Sequence, residues 1–577
     1  RSVYFGQIVR QNSLLPYQYV IGGAAVLLLM EACRRVVGLP IVVIATLFML
    51  IAFFGRQMPG FLSNRGFSVL QIIKHLFYTQ EGVFGTPVGA SSTFIFLFIL
   101  FGAFLEKTGV GEFFIDLSNA VAGNKRGGPA KVAVITSALE GTVSGSSVAN
   151  TVGSGSFTIP MMKRLGYRPA FAAAVEAAAS TGGQIMPPVM GAAAFLMAES
   201  VGVPYSVVVK AAIIPALLYF AGIYIVTDLE AKKQGLKGMD KDKMPRLLPV
   251  LKERGHLILP LVAIIYVLGA GYTPSVAALI GIGIALLGGY MKTFVQALAA
   301  RVKGRPITPV IKASKGLRPR EYLEALEAGA RSILGVALAC GVAGIIAGMI
   351  TLTGIGLKMG SGLTALAGGS LILLLIFTML SSIILGMGVP TTANYLITST
   401  IMAPVVARAL STYLPDVYSA LHALSPQLAI LPAHLFTFYF GIIADITPPV
   451  ALAAMAGAAI AKSNPLRTGV EATRLAIAAF LVPYIFVYSP QMLMLNAQWH
   501  EIVLIAVTAL IGMYGIGMAV EKYWESRLNV IQQLMALAGG LLLIIPGLVT
   551  DLAGVALIAG VILWQKAQHP RPGQEPL

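Results

Sequence analysis

The chain has 577 residues, of which 57% are hydrophobic and only 11% charged, and its mean hydropathy is +0.82. No soluble protein of that length keeps so much apolar surface from water, so composition excludes a soluble enzyme and leaves an integral, multi-pass membrane protein whose surroundings are a lipid bilayer. The formal charge of +17 is spread over short loops between apolar runs, as topology signals are, and no nucleic-acid partner is expected.

In chain order, the sequence opens at Arg1 within a polar stretch and without Met, which reads as the remnant of a longer chain. Apolar runs able to cross a bilayer follow at 17–32, 36–54, 88–105, 206–226, 257–270, 275–290, 331–350, 470–490 and 501–520. Between the second and third, RGFSVLQIIKHLFYTQ at 65–80 has apolar residues at helical spacing; such a helix lies in the interface or packs on the bundle. Longer runs at 169–198 and 428–461 carry polar residues and prolines in mid-span and are candidate discontinuous helices. Two shorter runs, 532–547 and 551–565, meet at Pro546-Gly547 as a tight pair. Cys33 and Cys340 match no metal-ligand spacing and read as packing residues.

Two segments recur, one in each half. SGSSVANTVGSGSFTIP ends at Pro160 and GVPTTANYLITSTIMAP at Pro404; in both, an Ala-Asn pair places its Asn ten residues before the proline. Downstream, GGQIMPPVMGAAAFLMA around Pro187-Pro188 is matched by ADITPPVALAAMAGAAIA around Pro448-Pro449. Paired, Gly/Pro-broken polar stretches in corresponding positions of two halves are the mark of a secondary transporter built from interrupted helices. Cations orient the repeat. The loops Lys232–Arg254 and Lys292–Arg320 are basic and expected on the cytoplasmic side, which places Lys125, Arg126, Lys131, Lys163, Arg164 and Arg168 there too. Segment 131–165 then enters and leaves on one face as a re-entrant hairpin, and segment 371–407 does the same from the other face. The expected fold class is an all-α polytopic membrane protein with an inverted repeat, two re-entrant helical hairpins and discontinuous helices.

A polar hairpin tip in hydrocarbon costs several kcal/mol for each unsatisfied group unless it lines a cavity, so these tips are the candidate binding residues. At the first, Ser144, Gly145, Ser146, Ser147 and Asn150 offer hydroxyls, an amide and free carbonyls beside a helix N-terminus, which attracts carboxylates. At the second, Gly386, Gly388, Pro390, Thr391, Thr392 and Asn394 offer the same chemistry. Facing them, Thr181, Gly182, Gly183, Gln184 and Pro187-Pro188 in one half, and Asp445, Thr447 and Pro448-Pro449 in the other, would complete two sites. Such oxygens suit a desolvated sodium ion, expected at Ser146, Asn150 and Gly183 and at Gly388, Thr392 and Asp445. Small residues at helix contacts are the alternative reading of any one of these positions. Asp445 is the best carboxylate for a cation or proton; Glu140 and Glu176 read as structurally paired, and Glu199, His256, His422 and His434 as interfacial. An intramembrane enzyme is disfavoured because Gly141 stands one position too far from Ser144 for a GxSG nucleophile, and HExxH and Walker A sequences are lacking. No cofactor and no catalytic residue is expected.

At these residues the chain resembles the fused membrane permease of a tripartite ATP-independent periplasmic (TRAP) transporter of the TAXI type. The stretches that carry the resemblance are QEGVFGTPVGASSTFIFLFILFGAFLEKTG, GGPAKVAVITSALEGTVSGSSVANTVGSGSFTIPMMKRLGY, EAAASTGGQIMPPVMGAAAFLMAE, LGMGVPTTANYL and PAHLFTFYFGIIADITPPVALAA, within residues 17–490. The resemblance implies a bacterial or archaeal cytoplasmic (inner) membrane importer of elevator type. It implies coupling to sodium or protons and an extracytoplasmic substrate-binding protein that delivers a small organic anion, a carboxylate or dicarboxylate. It also divides the chain: 1–87 as the remnant of a fused small subunit, 88–495 as the large transport subunit, and 496–577 as a C-terminal membrane extension. The family's small subunit has four helices and two are visible here, which points to N-terminal truncation. A stand-alone sodium/dicarboxylate symporter is the alternative, and the fused N-terminal helices argue against it.

Overall fold

The computed structural model describes residues 14–302 and 319–568. Among them every extended regular element is a helix. Among the described residues, seven helices are long and apolar enough to cross a membrane: Thr86–Lys107, Tyr205–Lys233, Arg320–Thr353, Pro426–Ile443, Pro465–Tyr488, Trp499–Glu521 and Leu548–Gln568. The surface of the molecule is apolar where that of a water-soluble protein is polar, and several polar groups are buried within the core. Leu28, Leu548 and Val549 stand 69%, 77% and 81% exposed, while Glu176 and Gln184 are 0% and Asp445 5% exposed. Only an apolar surrounding makes that arrangement favourable.

At the N-terminus, α1 (Pro16–Val36) and α2 (Leu39–Phe53) coincide with the first two apolar runs. The amphipathic stretch forms α3 (Val69–Tyr78), started by a capping box in which Ser68 and Gln71 satisfy each other's backbone N–H. It packs on α1, where the Tyr78 hydroxyl donates to the Gln18 carbonyl at 2.6 Å. Next comes α4 (Thr86–Lys107), which carries a π turn at Ser91–Ile95.

The first half then builds a helical hairpin from α5 (Gly128–Ser144), α6 (Ser147–Gly153) and α7 (Gly155–Arg164). A broken helix follows, α8 (Pro169–Gly182) and α9 (Ala192–Val201), and then the long α10 (Tyr205–Lys233). After Leu259–Gly269 and Pro274–Val302, the long α11 (Pro319–Thr353) runs beside α1, α2 and α4. The basic loop expected at 292–320 lies mostly outside the described residues. The second half repeats the order: hairpin α12 (Leu371–Gly386), α13 (Thr391–Ile401) and α14 (Ala403–Tyr413), broken helix α15 (Pro426–Ile443) and α16 (Leu452–Ala461), then α17 (Pro465–Tyr488). Proline in the first turn of α5, α8, α14, α15 and α17 fixes where each helix starts, because its missing N–H is one that no helix can satisfy there.

The halves interlock. Each hairpin packs on the first segment of its own broken helix, α5–α7 on α8 and α12–α14 on α15, while its tip helix leans on the other half's restarted segment, α6 on α16 and α13 on α9. At the C-terminus, α18 (Trp499–Glu521) packs along α10, and α19 (Val530–Leu542) and α20 (Leu548–Gln568) extend outward from it. Where the ends of α10 and α18 meet the first half of α17, Arg474 pairs with Glu471 (3.1 Å), Glu230 (3.4 Å) and Glu521, and Lys233 pairs with Glu230 (3.2 Å) and Glu521 (3.3 Å). Arg168 joins this cluster through Glu230 and Glu471.

Candidate functional site

The first tip forms because the chain reverses where only glycine fits. Gly145 ends α5 at φ +58, and a Cβ there would stand 2.2 Å from the Gly191 Cα. Ser146 then caps α6, its hydroxyl accepting from the Ala149 N–H at 3.3 Å. The Ser144 hydroxyl donates to the Asn150 Oδ1, and the Asn150 amide nitrogen lies against Gly183. The second tip runs from Gly386 through Gly388, at φ +72, to Pro390, the N-cap of α13. Asn394 occupies the place of Asn150 and donates from Nδ2 to the Gly441 carbonyl at 2.6 Å.

The two tips meet the two broken helices in one buried chain of hydrogen bonds. Asp445, just past α15, accepts on Oδ2 from the Ser147 hydroxyl at 2.6 Å and from the Gln184 Nε2 at 2.8 Å. The other end of the Gln184 amide, Oε1, accepts from the Thr391 hydroxyl. Superposing the two Pro-Pro stretches places Gln184 on Asp445, and superposing the two Ala-Asn stretches places Ser147 on Thr391. Equivalent residues of the two repeats therefore bond one another across their approximate two-fold. Each helix break is bonded by the first tip-helix residue of the other half, Ser147 to Asp445 and Thr391 to Gln184. The breaks match in backbone as well: Pro187-Pro188 and Pro448-Pro449 are both cis, and Met190 and Ala451 both have positive φ, 55° and 41°.

The two sites expected from the sequence, each a tip with a broken helix, are joined in the structure by this chain of bonds. Asp445 bonds Ser147 and Gln184, and Gly388 of the second tip faces Pro40 of α2 and Val450. The physical reason is the interlock, which carries each tip helix to the other half's helix break. Ser146, Asn150 and Gly183 do lie together at the first tip. Thr181 is buried with its hydroxyl unpartnered, as are Nδ2 of Asn150 and Oδ1 of Asn394. Gly182 lets the Tyr219 ring approach, since a Cβ would stand 2.4 Å from it, and Gly386 makes room for the Asn394 amide in the same way. Thr392 is buried on α13. The Thr447 hydroxyl turns back to the Ile443 carbonyl at 2.9 Å.

Chemically, the arrangement offers hydroxyl, amide and carboxylate oxygens in a protein-enclosed space, ligands suited to a small hard cation. Among the described residues no group of three or more His, Cys, Asp or Glu is placed to hold a metal ion. His434 is taken up by Tyr395, whose hydroxyl lies 2.8 Å from Nδ1. Sequence reasoning passed over Tyr205, whose hydroxyl reaches the carbonyls of Pro188 and Val189 at 2.8 and 2.7 Å and braces the first break. It also missed a hydroxyl cage around Glu176. The signal for the cage was present as Ser154/Thr158 and Glu176/Ser180, two pairs of polar residues four apart on helices.

Comparison with known proteins agrees with this architecture. The family model "Tripartite ATP-independent periplasmic transporter, DctM component" matches residues 24–499. The chain is 31% identical over 182 residues to the C4-dicarboxylate TRAP transporter large permease protein DctM of Pseudomonas aeruginosa, covering 31% of this chain and 42% of that protein. It is 29% identical over 194 residues to the Rhodobacter capsulatus protein of the same name, covering 31% of this chain and 44% of that protein. It is 29% identical over 188 residues to the isethionate TRAP transporter permease protein DctMQ of Oleidesulfovibrio alaskensis, covering 31% of this chain and 28% of that protein. In each case the chain spans less than half of the relative's length. With most of its length matched to the family, two interlocked repeats and seven helices apolar enough to cross a membrane, the chain belongs to the DctM family of TRAP transporter permeases.

Proposed function

We propose that this protein is a cation-coupled secondary importer of a small organic anion, a carboxylate or dicarboxylate, in the bacterial or archaeal inner membrane. An extracytoplasmic binding protein delivers the anion, and the two hairpins are re-entrant and travel with the broken helices as an elevator against α1, α2, α4 and α11. Relatives named for C4-dicarboxylates and isethionate support an organic anion as cargo. The sequence stretches quoted above support the TAXI type, and the apolar α1 and α2 ahead of them support the fused small subunit.

The observation that carries the reading is the bonded chain Ser147–Asp445–Gln184–Thr391. It joins both tips to both helix breaks, so a cation, sodium or proton, that alters one link alters how both hairpins close. Cation and anion binding are then linked reciprocally, and the cation gradient drives uptake.

The test is uptake of labelled C4 and C5 dicarboxylates into proteoliposomes holding the permease, with and without its binding protein, under separate sodium and proton gradients. Uptake that needs both the binding protein and one gradient is the expected result. Uptake without the binding protein would replace the tripartite reading by a stand-alone symporter, and gradient-independent uptake would remove coupling.

A further inference from the structure

Glu176, in the middle of α8, is wholly buried, and four hydroxyls converge on it. Ser137 of α5 reaches Oε1 at 2.8 Å, Ser154 at 2.6 Å and Ser180 at 3.2 Å, and Thr158 of α7 reaches Oε2. None of the ion pairs among the described residues includes it, so no cation offsets the cost of a buried carboxylate.

Hydrogens are short in this cage. Ser154 has one hydroxyl hydrogen but three acceptors in reach, Glu176, the Asn150 carbonyl at 2.8 Å and Glu140 of α5, and Thr158 has Glu176 and the Ser154 carbonyl at 3.1 Å. Ser137 and Ser180 also approach each other at 3.5 Å. One more proton, on the carboxyl, lets Ser154 and Thr158 return to their backbone acceptors while the carboxyl donates to a hydroxyl lone pair. Hydroxyls rotate between donor and acceptor, so the cage accommodates both charge states without rearranging, as a lysine or arginine partner would not.

The second repeat shows that the fold does not require an acid here. The Pro-Pro superposition puts Thr437 in the place of Glu176, and its hydroxyl bonds only along its own helix, to the His434 carbonyl at 3.0 Å. The Asn superposition puts Thr398 in the place of Ser154, and it too bonds back four residues, to the Asn394 carbonyl at 2.9 Å, as Ser154 does to Asn150. The same framework thus stands in the second half with a neutral side chain.

We propose that Glu176, with Ser137, Ser154, Thr158 and Ser180, is a proton-binding site clamped between the two arms of the first hairpin and the first broken helix. Because both arms and α8 contribute, movement of the hairpin against α8 changes proton affinity, and protonation changes closure. The inference rests on the carrier reading above. Other titratable groups on the packed elements are engaged: Lys131 with Asp228, Lys163 with the Ala461 carbonyl, Arg168 and Arg474 with Glu230 and Glu471, and the Tyr219 hydroxyl with the Ala178 carbonyl. Glu140 of α5 is the one that shares a cage hydroxyl, Ser154.

The test is an infrared titration of the purified full chain, following the C=O stretch of protonated carboxyl groups in light and heavy water. The expected result is a slowly exchanging carboxyl band that disappears as pH rises and is missing from Glu176→Gln and from Glu176→Thr, the latter copying the second repeat. A band unchanged in both variants, or one displaced by sodium and not by pH, would overturn the proposal. In proteoliposomes Glu176→Gln should also lose the stimulation of uptake by a proton gradient, and wild-type stimulation in that variant would overturn it too. Failure of the wild type to take up any anion would strike the carrier reading alone, with the infrared titration still deciding the proton site.

Discussion

The bond between Ser147 and Asp445 should hold the first hairpin tip closed, and its strength can be measured as an opening equilibrium. At 2.6 Å, from a hydroxyl to a carboxylate in a buried position, it is a charge-assisted bond worth about 1.5–3 kcal/mol. The equivalent bond at the other tip, from Thr391 to the neutral Gln184 amide, falls in the ordinary class of about 0.5–1.5 kcal/mol. A buried reporter is available on the tip helix: Thr151 is wholly buried against Gly457, and cysteine there would react with a thiol reagent only when the tip lifts. The native Cys33 and Cys340 are both buried, which keeps background labelling low. In the Thr151→Cys background, Ser147→Ala should raise the labelling rate roughly 10- to 150-fold, since each 1.4 kcal/mol is a factor of ten. Asp445→Ala should do at least as much, because it also strands the Gln184 amide. The double variant should open far less than the product of the two single effects, with a coupling of about 1.5–3 kcal/mol, whereas Thr391→Ala should give a smaller change. Purely multiplicative effects of Ser147→Ala and Asp445→Ala would refute the idea that this bond closes the tip.

Further consequences follow from particular contacts. Gly141→Ala should lower the yield of folded protein and its melting temperature in detergent, because the new Cβ would stand 2.2 Å from the Gly183 Cα; Gly89→Ala, with open space around it, should be neutral or stabilise by up to ~1 kcal/mol. Arg474→Ala leaves Glu521 and Glu230 buried with Lys233 as their remaining shared cation and should destabilise by about 3–5 kcal/mol, with Arg474→Ala/Glu521→Gln restoring part of the loss in the same melting assay. Tyr205→Phe removes the hydroxyl that braces Pro188 and Val189 and should cost about 1 kcal/mol, read as a lower melting temperature; an unchanged value would show that water satisfies those carbonyls equally well.

Local chemistry was legible in the sequence and non-local pairing was not. The hairpin limits expected at 131–165 and 371–407 fall on helices spanning Gly128–Arg164 and Leu371–Tyr413, because Gly145 and Gly388 announce a reversal and proline announces a helix start. The breaks at Pro187-Pro188 and Pro448-Pro449 were visible for the same reason. The partner of each tip was not visible: Ser147 and Asp445 are 298 residues apart, Gln184 and Asp445 261, and Thr391 and Gln184 207. No window of hydrophobic periodicity spans such separations. The superposition of the two repeats would have predicted the bond between Gln184 and Asp445, since two equivalent residues near a two-fold axis must approach each other. That step requires knowing that the repeats interlock. The sequence reads Glu176 as structurally paired, but which groups pair with it was not visible for a different reason: they are hydroxyls, some four residues apart, which in a membrane helix look like ordinary packing residues.

The departures from the repeat are as informative as the repeat itself. The framework supplies two equivalent helix breaks and two equivalent hairpins, and a strictly symmetric sequence would place identical groups at both. Instead, one half carries Asp445 at the break where the other carries Gln184, and Glu176 stands inside the first half where the second has Thr437. Each half thus carries a buried carboxylate where the other has an uncharged residue: one at the junction of the two repeats, the other clamped within one hairpin. A second carboxylate at position 184 would set two negative charges against each other within hydrogen-bond distance, so the amide at Gln184 is what allows the two equivalent positions to bond. An acid at position 437, away from that junction, would meet no such charge, but it would face Thr398 and Gly441 where Glu176 has Ser154 and Ser180. With Gly441 in the place of Ser180 and Met402 in the place of Thr158, the second half has fewer of the donors that make a buried carboxylate tolerable. Asymmetry in ligands on a repeated backbone thus gives the two halves different chemistry at equivalent packing.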